Sequence, residues 1–456
     1  MCREKWGGAM QKDKIDDIVS MLQDKKLVKV RELLLRENEV DIAECIEHIQ
    51  KDSSLLVFRT LPKDVAANVF SHLSPDMQSE IINATEDTDL TSLLNEIYLD
   101  DIVDIIEEMP ANVAKRILKN TSDKNREKIN QLLKYPKDSA GSLMTTEYVN
   151  LKKHYTAEEA LSYIKQTASE KETIYTCYVT GEDRKLEGTV SLRDLVLSDK
   201  NTKIASILKN DVISVNTHDD QENVSEVFKK YDFFVLPVVD NENRLIGIIT
   251  VDDIMDVIEK EATEDFEKMA AMQPSHKAYL DEDVFTLAKS RIGWLLILML
   301  SQVFTSNIID SYTTLLASMT VLTTFIPLLM DTGGNAGSQS STLIIRGLAT
   351  GEIRPRDWLL VLWKESRIAL IVGSILSTFI TLKTIFISHK DVFVALSVGI
   401  TLFASVMVAK LIGALLPIIA KVLRLDPAIM AGPLITTIVD SLSLILFFSI
   451  ASLLLF

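Results

Sequence analysis

The spacing of apolar and polar positions divides the 456-residue chain into two unlike halves. Before about residue 284 apolar residues come in short periodic groups, and after it they come in long runs. Over residues 13–135 they recur at helical spacing, as in 28–35 and 42–49. Leu61-Pro-Lys-Asp, Ser74-Pro-Asp-Met and Met109-Pro-Ala-Asn open further short helices, because proline suits a first helical position that lacks a backbone partner. The recurring opening predicts helical pairs stacked into a small superhelical array.

Over residues 138–262 the period changes. Leu186-Glu-Gly-Thr-Val-Ser-Leu-Arg-Asp-Leu195 and Leu245-Ile-Gly-Ile-Ile-Thr-Val-Asp-Asp-Ile254 match one another. Each reads as a β-branched strand ending in a Ser/Thr helix cap, with an Asp inside the helix. A strand precedes each, at 174–179 and 234–239, and an amphipathic helix precedes that, at 157–166 and 222–230. The order is helix–strand–strand–helix, twice. Residues 263–284 read as a helix leading into the apolar half.

The apolar half supplies runs at 293–309, 314–345, 358–382, 392–420 and 427–456. A hydrocarbon core needs about 20 helical residues, so these predict five membrane spans. The second run, 32 residues, would rise ~48 Å as one helix. It therefore tilts steeply or breaks locally at Gly333-Gly334. Pro327 and Pro417 are candidate kinks. Arg346, Arg354 and Arg356 fall in one loop, and Lys421 and Arg424 in another on the same side; Lys383 and Lys390 lie opposite. Positive loops stay inside, which predicts a multi-pass protein of the cell (inner) membrane with its N-terminus cytoplasmic and its C-terminus outside. Met1 to Asp13 carries no apolar run, so no signal peptide is expected.

Charge sharpens the division. The residues before 284 hold 36 Lys+Arg against 56 Asp+Glu, and those after hold 12 against 8. An acidic half of that size disfavours nucleic acid, which binds basic patches, and favours cations. Cys2, Cys45 and Cys177 form no metal or disulfide pattern and suit a reducing compartment. There is no Walker loop, Gly-x-Ser-x-Gly, His-Glu-x-x-His or kinase signature, so no enzyme is expected.

Oxygen chemistry is what the chain offers. Asp440 lies within the fifth apolar run, where an ionised carboxylate is costly without water, a cation or a partner. At Asp331, near the end of its run, interface capping is the favoured role; Asn335, Ser338 and Gln339 add neutral oxygens. Asp100, Asp101, Asp104, Glu107 and Glu108 share one broad helix face, and Asp252, Asp253, Asp256 and Glu259 repeat that spacing. Glu261, Glu264 and Asp265 continue it, and Asp219, Asp220, Glu222 and Asp232 complete the set. Solvated faces explain any one of these acids. Facing each other, they would repel by ~1 to 4 kcal/mol per pair, and divalent cations would draw them together. Magnesium keeps its water and is held by few carboxylates, which a single Asp repeated across a two-fold axis would provide.

The tandem motif resembles a pair of CBS domains. Over nearly its whole length the chain resembles the MgtE magnesium transporter/channel family. The matches are Gly333-Gly-Asn-Ala-Gly-Ser-Gln339 with Thr342-Leu-Ile-Ile-Arg346, and Asp426-Pro-Ala-x-x-x-Gly-Pro433 with Thr436 and Asp440. Leu99-Asp-Asp-Ile-Val-Asp-Ile-Ile-Glu-Glu-Met-Pro110 and Tyr231-Asp-Phe-Phe-Val-Leu-Pro-Val-Val-Asp240 are further matches. The resemblance implies a multidomain membrane protein: a superhelical N-terminal domain (1–137), α/β tandem CBS domains (138–200 and 201–262), a connecting helix (263–284) and an all-α pore domain of five helices (285–456). It implies a homodimer with Asp440 as the Mg2+-binding pore residue, and Asn335, Ser338, Gly432 and Thr436 as lining candidates. It also implies that Asp100, Asp101, Asp104, Asp220, Glu222, Asp232, Asp253, Asp256, Glu261, Glu264, Asp265 and Asp426 bind regulatory Mg2+ and close the pore. Such CBS pairs often bind adenine nucleotides, which makes ATP a candidate ligand. Mn2+, Co2+ and Ni2+ remain open beside Mg2+, as does channel against carrier. A membrane-anchored sensor is the rival reading, and an anion channel a third. Two residues depart from expectation: Ser338 stands where Asn is expected, and Lys410 lies deep in the fourth run.

Overall fold

A computed structural model describes residues 12–24, 26–275, 279–280, 282–430 and 432–455. Cys2 and most of the leading stretch lie outside the described residues. The chain forms two compact units, Met1–Val257 and Ile258–Phe456.

The first unit opens with ten helices of 8 to 12 residues among the described residues, from Lys12–Gln23 to Asp123–Leu132. Their apolar stripes meet in a core that includes Ile42, Ile46, Phe70, Ile81 and Leu94. Successive pairs are also tied by polar contacts: Arg116 donates to the carbonyls of Ile82 at 2.6 Å and Thr85 at 2.5 Å. Pro75 occupies the first helical turn as expected, but Pro62 and Pro110 stand one position earlier, as N-caps with φ near −60°. Either place removes a donor that the helix cannot satisfy internally.

The tandem motif folds into two three-stranded sheets, β1 (Asn150–Leu151), β2 (Thr176–Thr180), β3 (Leu186–Ser191) and β4 (Val215–Asn216), β5 (Val235–Val239), β6 (Leu245–Thr250). In each, the last two strands form an antiparallel hairpin and the first runs parallel to its neighbour. Helices Ala157–Thr167 and Gln221–Tyr231 fill the crossovers. Ser191 caps its helix, accepting from the Asp194 N–H at 3.0 Å. The sheets join at their turns: Leu186 N donates to Asn243 O and Leu245 N to Arg184 O, each at 3.0 Å. Arg184 and Asn243 occupy matching left-handed conformations, φ 63° and 61°, so the halves are related by a pseudo-two-fold.

Three expectations fail beyond this point. The connecting helix does not cover 263–284. It is the latter part of Val251–Met269, and Ala271 (φ 54°) turns the chain out of it. The second apolar run breaks, but not at Gly333-Gly334. A short helix, Thr313–Ser318, and a 3-10 turn, Thr320–Phe325, precede one unbroken helix, Ile326–Ala349, that passes straight through both glycines. Pro327 starts that helix instead of kinking it; Pro417 does lie inside its helix.

Five long helices result: Val284–Ser311, Ile326–Ala349, Trp358–Leu382, Val392–Val422 and Gly432–Leu455, here termed first to fifth. Among the described residues four helical stretches, Val284–Ser311, Pro355–Ile387, Val392–Val422 and Pro427–Leu455, are long and apolar enough to cross a membrane. The second helix is not in that group, because its polar Asp331-to-Ser341 stretch dilutes its apolarity. It is nonetheless built into the core of the unit, where Leu329 and Ala336 pack with Val398, Val406, Ile435, Val439 and Phe447.

Candidate ion pathway and acidic cluster

The second helix packs against the fourth and fifth through glycines. A Cβ on Gly413 would collide with the Gly337 carbonyl, so helices four and two meet backbone to backbone. On the other side, a Cβ on Gly334 would lie 3.0 Å from Thr436 Cγ2 and 3.6 Å from Asp440 Oδ1. The missing side chain at Gly334 therefore leaves the half-buried Asp440 facing bare helix backbone. Asp440 has no ion-pair partner among the described residues, and the charge acting on it is that of Asp331. Asp331 sits in the second turn of its helix, exposed, not at a cap. Asn335 is exposed and Ser338 half-buried on the same helix. The Thr436 hydroxyl donates to Pro433 O at 2.9 Å.

Lys410 has a partner that local sequence does not reveal. It is 4% exposed and lies 3.9 Å from the Glu365 carboxylate, itself 6% exposed. Ser340 bridges them, donating to Glu365 Oε2 at 2.6 Å and accepting from Lys410 Nζ at 3.2 Å. Helices two, three and four are thus tied by one buried ion pair, away from Asp440.

Just ahead of the fifth helix, Asp426 accepts from the Ala428 N–H at 2.8 Å and pairs with Lys268 at 2.7 Å. Lys268 also pairs with Glu264 one turn back. Burial alone would lower the Lys268 ammonium, but the two carboxylates more than reverse this and hold it well above the usual lysine range. Gly432 (φ 33°) lies so close to the Met269 carbonyl that a Cβ would come within 2.9 Å. Glu261 and Asp265 are half-buried on the same helix.

In the first unit, helix Leu99–Glu108 does not present its five acids alike. Asp100 is 8% exposed, and its Oδ1 is buried with no hydrogen-bond partner among the described residues. Asp101 accepts from Ser71 Oγ at 2.9 Å, Asp104 is exposed, and Glu107 pairs with Lys137 at 3.7 Å. The charges acting on Asp100 come from Asp253, Glu172 and Asp101. Burial and these like charges push Asp100 well above the usual carboxylate range, Asp253 up to about 6 and Glu172 up to about 8. A hydrogen bond from Thr250 Oγ1 at 2.7 Å partly opposes the rise at Asp253. Glu172 was not foreseen: it stands in an aperiodic loop between helix and strand, where no spacing marks it.

Asp220 and Asp232 sit at the two ends of helix Gln221–Tyr231. Asp220 is the N-cap, accepting from the Glu222 N–H at 2.9 Å, and Asp232 the left-handed C-cap. Asp256 is exposed. Among the described residues no three His, Cys, Asp or Glu side chains lie close enough to hold a metal ion directly. In the first CBS-like half a cleft is lined by Asp194, Leu197, Ser198, Ile207 and Lys209, with Asp194 and Lys209 paired at 3.3 Å.

Comparison with known proteins adds three kinds of match. A divalent cation transporter family model (MgtE) matches residues 326–450, an MgtE intracellular N domain model 37–138, and a CBS domain model 140–200 and 204–260. The magnesium transporter MgtE of Thermus thermophilus is 39% identical over 95% of this chain and 97% of its own length. That of Bacillus subtilis is 31% identical over 95% and 98%. Among solved structures, the cytosolic domain of the Mg2+ channel MgtE in complex with ATP is 37% identical, with a TM-score of 0.51 over 53% of this chain and 99% of that one. The soluble part of a magnesium transporter is 31% identical, with a TM-score of 0.52 over 56% and 100%.

Proposed function

The chain belongs to the MgtE magnesium transporter family, a family of transporters and not of enzymes, and from that premise we propose that it imports Mg2+ through a pore on the axis of a homodimer, with Asp440 meeting the ion. The observation that carries this is the placing of Asp440. It is a half-buried carboxylate within an apolar helix, lacking an ion-pair partner among the described residues, beside the bare Gly334 backbone and the Asp331 charge. Such a group is costly in a membrane unless it meets water or a cation. Two copies across a dimer axis give two carboxylates for one hydrated ion. Asn335, Ser338, Gly432 and Thr436 line its path. Mn2+, Co2+ and Ni2+ are the competing cargoes.

The acids of the first unit make the sensor. The domains run 1–137, 138–200, 201–262 and 285–456, joined by the connecting helix that ends at Met269, with everything before the spans in the cytoplasm and the C-terminus outside, as the basic loops favour. Ionised together, Asp100, Asp101, Glu172 and Asp253 strain the packed arrangement. Intracellular Mg2+ relieves that strain and holds the pore closed, with Asp104, Asp220, Glu222, Asp232, Asp256, Glu261, Glu264, Asp265 and Asp426 as further contributors. Depletion frees the acids of the first unit to separate, and the pore opens. ATP is the proposed ligand of the CBS pair: in the Asp194–Lys209 cleft the carboxylate would accept from ribose hydroxyls and the ammonium would meet phosphate.

The test is Mg2+ flux into liposomes holding the purified chain. Asp440→Ala should abolish flux while the protein is still made and folded. Normal flux in that variant removes the pore assignment, and no flux from the unmodified chain favours the sensor reading.

A further inference from the structure

We propose that Lys268 is a resident cation at the joint between the connecting helix and the fifth helix, doing without Mg2+ what Mg2+ does at the other acids. The inference rests on the regulatory reading above, since Glu264 and Asp426 are among the acids given to Mg2+. In the structure a lysine already lies between them. Its ammonium pairs with Glu264 on its own helix and with Asp426 at 2.7 Å, at the base of the helix that carries Asp440. One further contact fixes the same joint, and two more hold the chain that follows it. The Met269 carbonyl abuts Gly432, where only glycine leaves room. Just past the helix end, Gln273 N donates to Ser290 O of the first helix at 3.1 Å. Ser275 N donates to Glu267 Oε2 at 2.8 Å, folding the chain back on the connecting helix.

The physical consequence concerns valence. One ammonium neutralises one of two facing carboxylates, so the joint is held but retains a net negative charge. A divalent ion could neutralise both. Lys268 therefore keeps the helix end docked when Mg2+ is absent, and sets how far depletion can loosen the joint. Asp426 is the indispensable partner, because it alone of the three belongs to the fifth-helix side.

Hydrogen exchange of backbone amides 264–275 in the full-length chain, with chelator or with millimolar Mg2+, tests this. The unmodified chain and Lys268→Arg should be protected in both. Lys268→Met should exchange about tenfold faster in chelator, the scale of losing two partly exposed ion pairs, and regain protection with Mg2+. Asp426→Asn should exchange fast in both. Unchanged exchange in chelator for both Lys268→Met and Asp426→Asn overturns the proposal. Fast exchange of Lys268→Met that Mg2+ does not reverse also overturns it, since lysine would then be a clamp with no relation to the ion. Liposome flux separates this from the regulatory reading. If Mg2+ fails to inhibit flux in the unmodified chain, that reading falls, while exchange still decides what Lys268 does.

Discussion

Glu172 gives the sharpest quantitative handle on the acidic cluster. Burial, then Asp253, Asp252 and Asp101, push its carboxyl from 4.5 up to about 8. The folded chain therefore keeps a proton that the unfolded chain has released. With more protons bound in the folded state, stability must fall as pH rises from about 4.5 to about 8, and level off outside that window. At pH 7 the cost of holding the proton is roughly 3 kcal/mol, from 1.36 kcal/mol per pH unit above 4.5. Asp253, raised to about 6, adds to the slope with the same sign at the acidic end. Glu172→Gln removes the Glu172 contribution. In chelator at pH 7 this variant should be more stable than the unmodified chain by up to about 3 kcal/mol, or on the order of 5–10 °C in a unit of this size. Thermal melts of the full-length chain at pH 5, 6, 7 and 8 measure it. The unmodified chain should lose stability steeply across that series and the variant much less. Added Mg2+ should stabilise the unmodified chain more than the variant, with more proton release on binding where Glu172 is present. Equal pH slopes, or a variant less stable in chelator, would refute the electrostatic account of the cluster.

The membrane unit and the gate yield three further expectations. Lys410→Met should destabilise by about 3–5 kcal/mol, because it strands a buried Glu365, whereas Lys410→Met with Glu365→Gln should recover most of the loss in denaturation melts. Gly334→Ala places a methyl 3.0 Å from Thr436 and beside Asp440; flux should drop several-fold at unchanged expression, and full flux would show that this contact does not shape the ion's path. Neutralising Asp253, Asp256 and Glu261 together should leave currents active at high internal Mg2+, and retained inhibition would reduce these acids to a solvated surface.

What could be read from the sequence follows the range of the interactions concerned. Helices and hairpins are local, and the structure places the crossover helices and the β2, β3, β5 and β6 strands within a residue or two of where periodicity put them. β1 and β4 escaped because two residues have no period. The acidic helix was legible as a charged face. That Asp100 turns inward was not, since its neighbours Glu172 and Asp253 come from separate elements. Lys410 stood out as anomalous, but its explanation lay on two other helices.

The misplaced break in the second run has a more specific cause. Glycine loosens a helix in water because it gives up the most backbone freedom and leaves backbone exposed. Between packed helices the balance reverses. The absent Cβ lets Gly413 meet the Gly337 carbonyl and lets Gly334 admit Asp440 and Thr436, so contact energy replaces the lost propensity. The chain breaks instead at Thr320–Phe325, ahead of the glycines, where the β-branched and aromatic residues carry no special stop signal. The residues that looked like a flaw in the helix are therefore what bring it against Asp440. An intact helix at Gly333-Gly334 serves the proposed pore better than a broken one: it holds a bare backbone face opposite the carboxylate at a fixed distance.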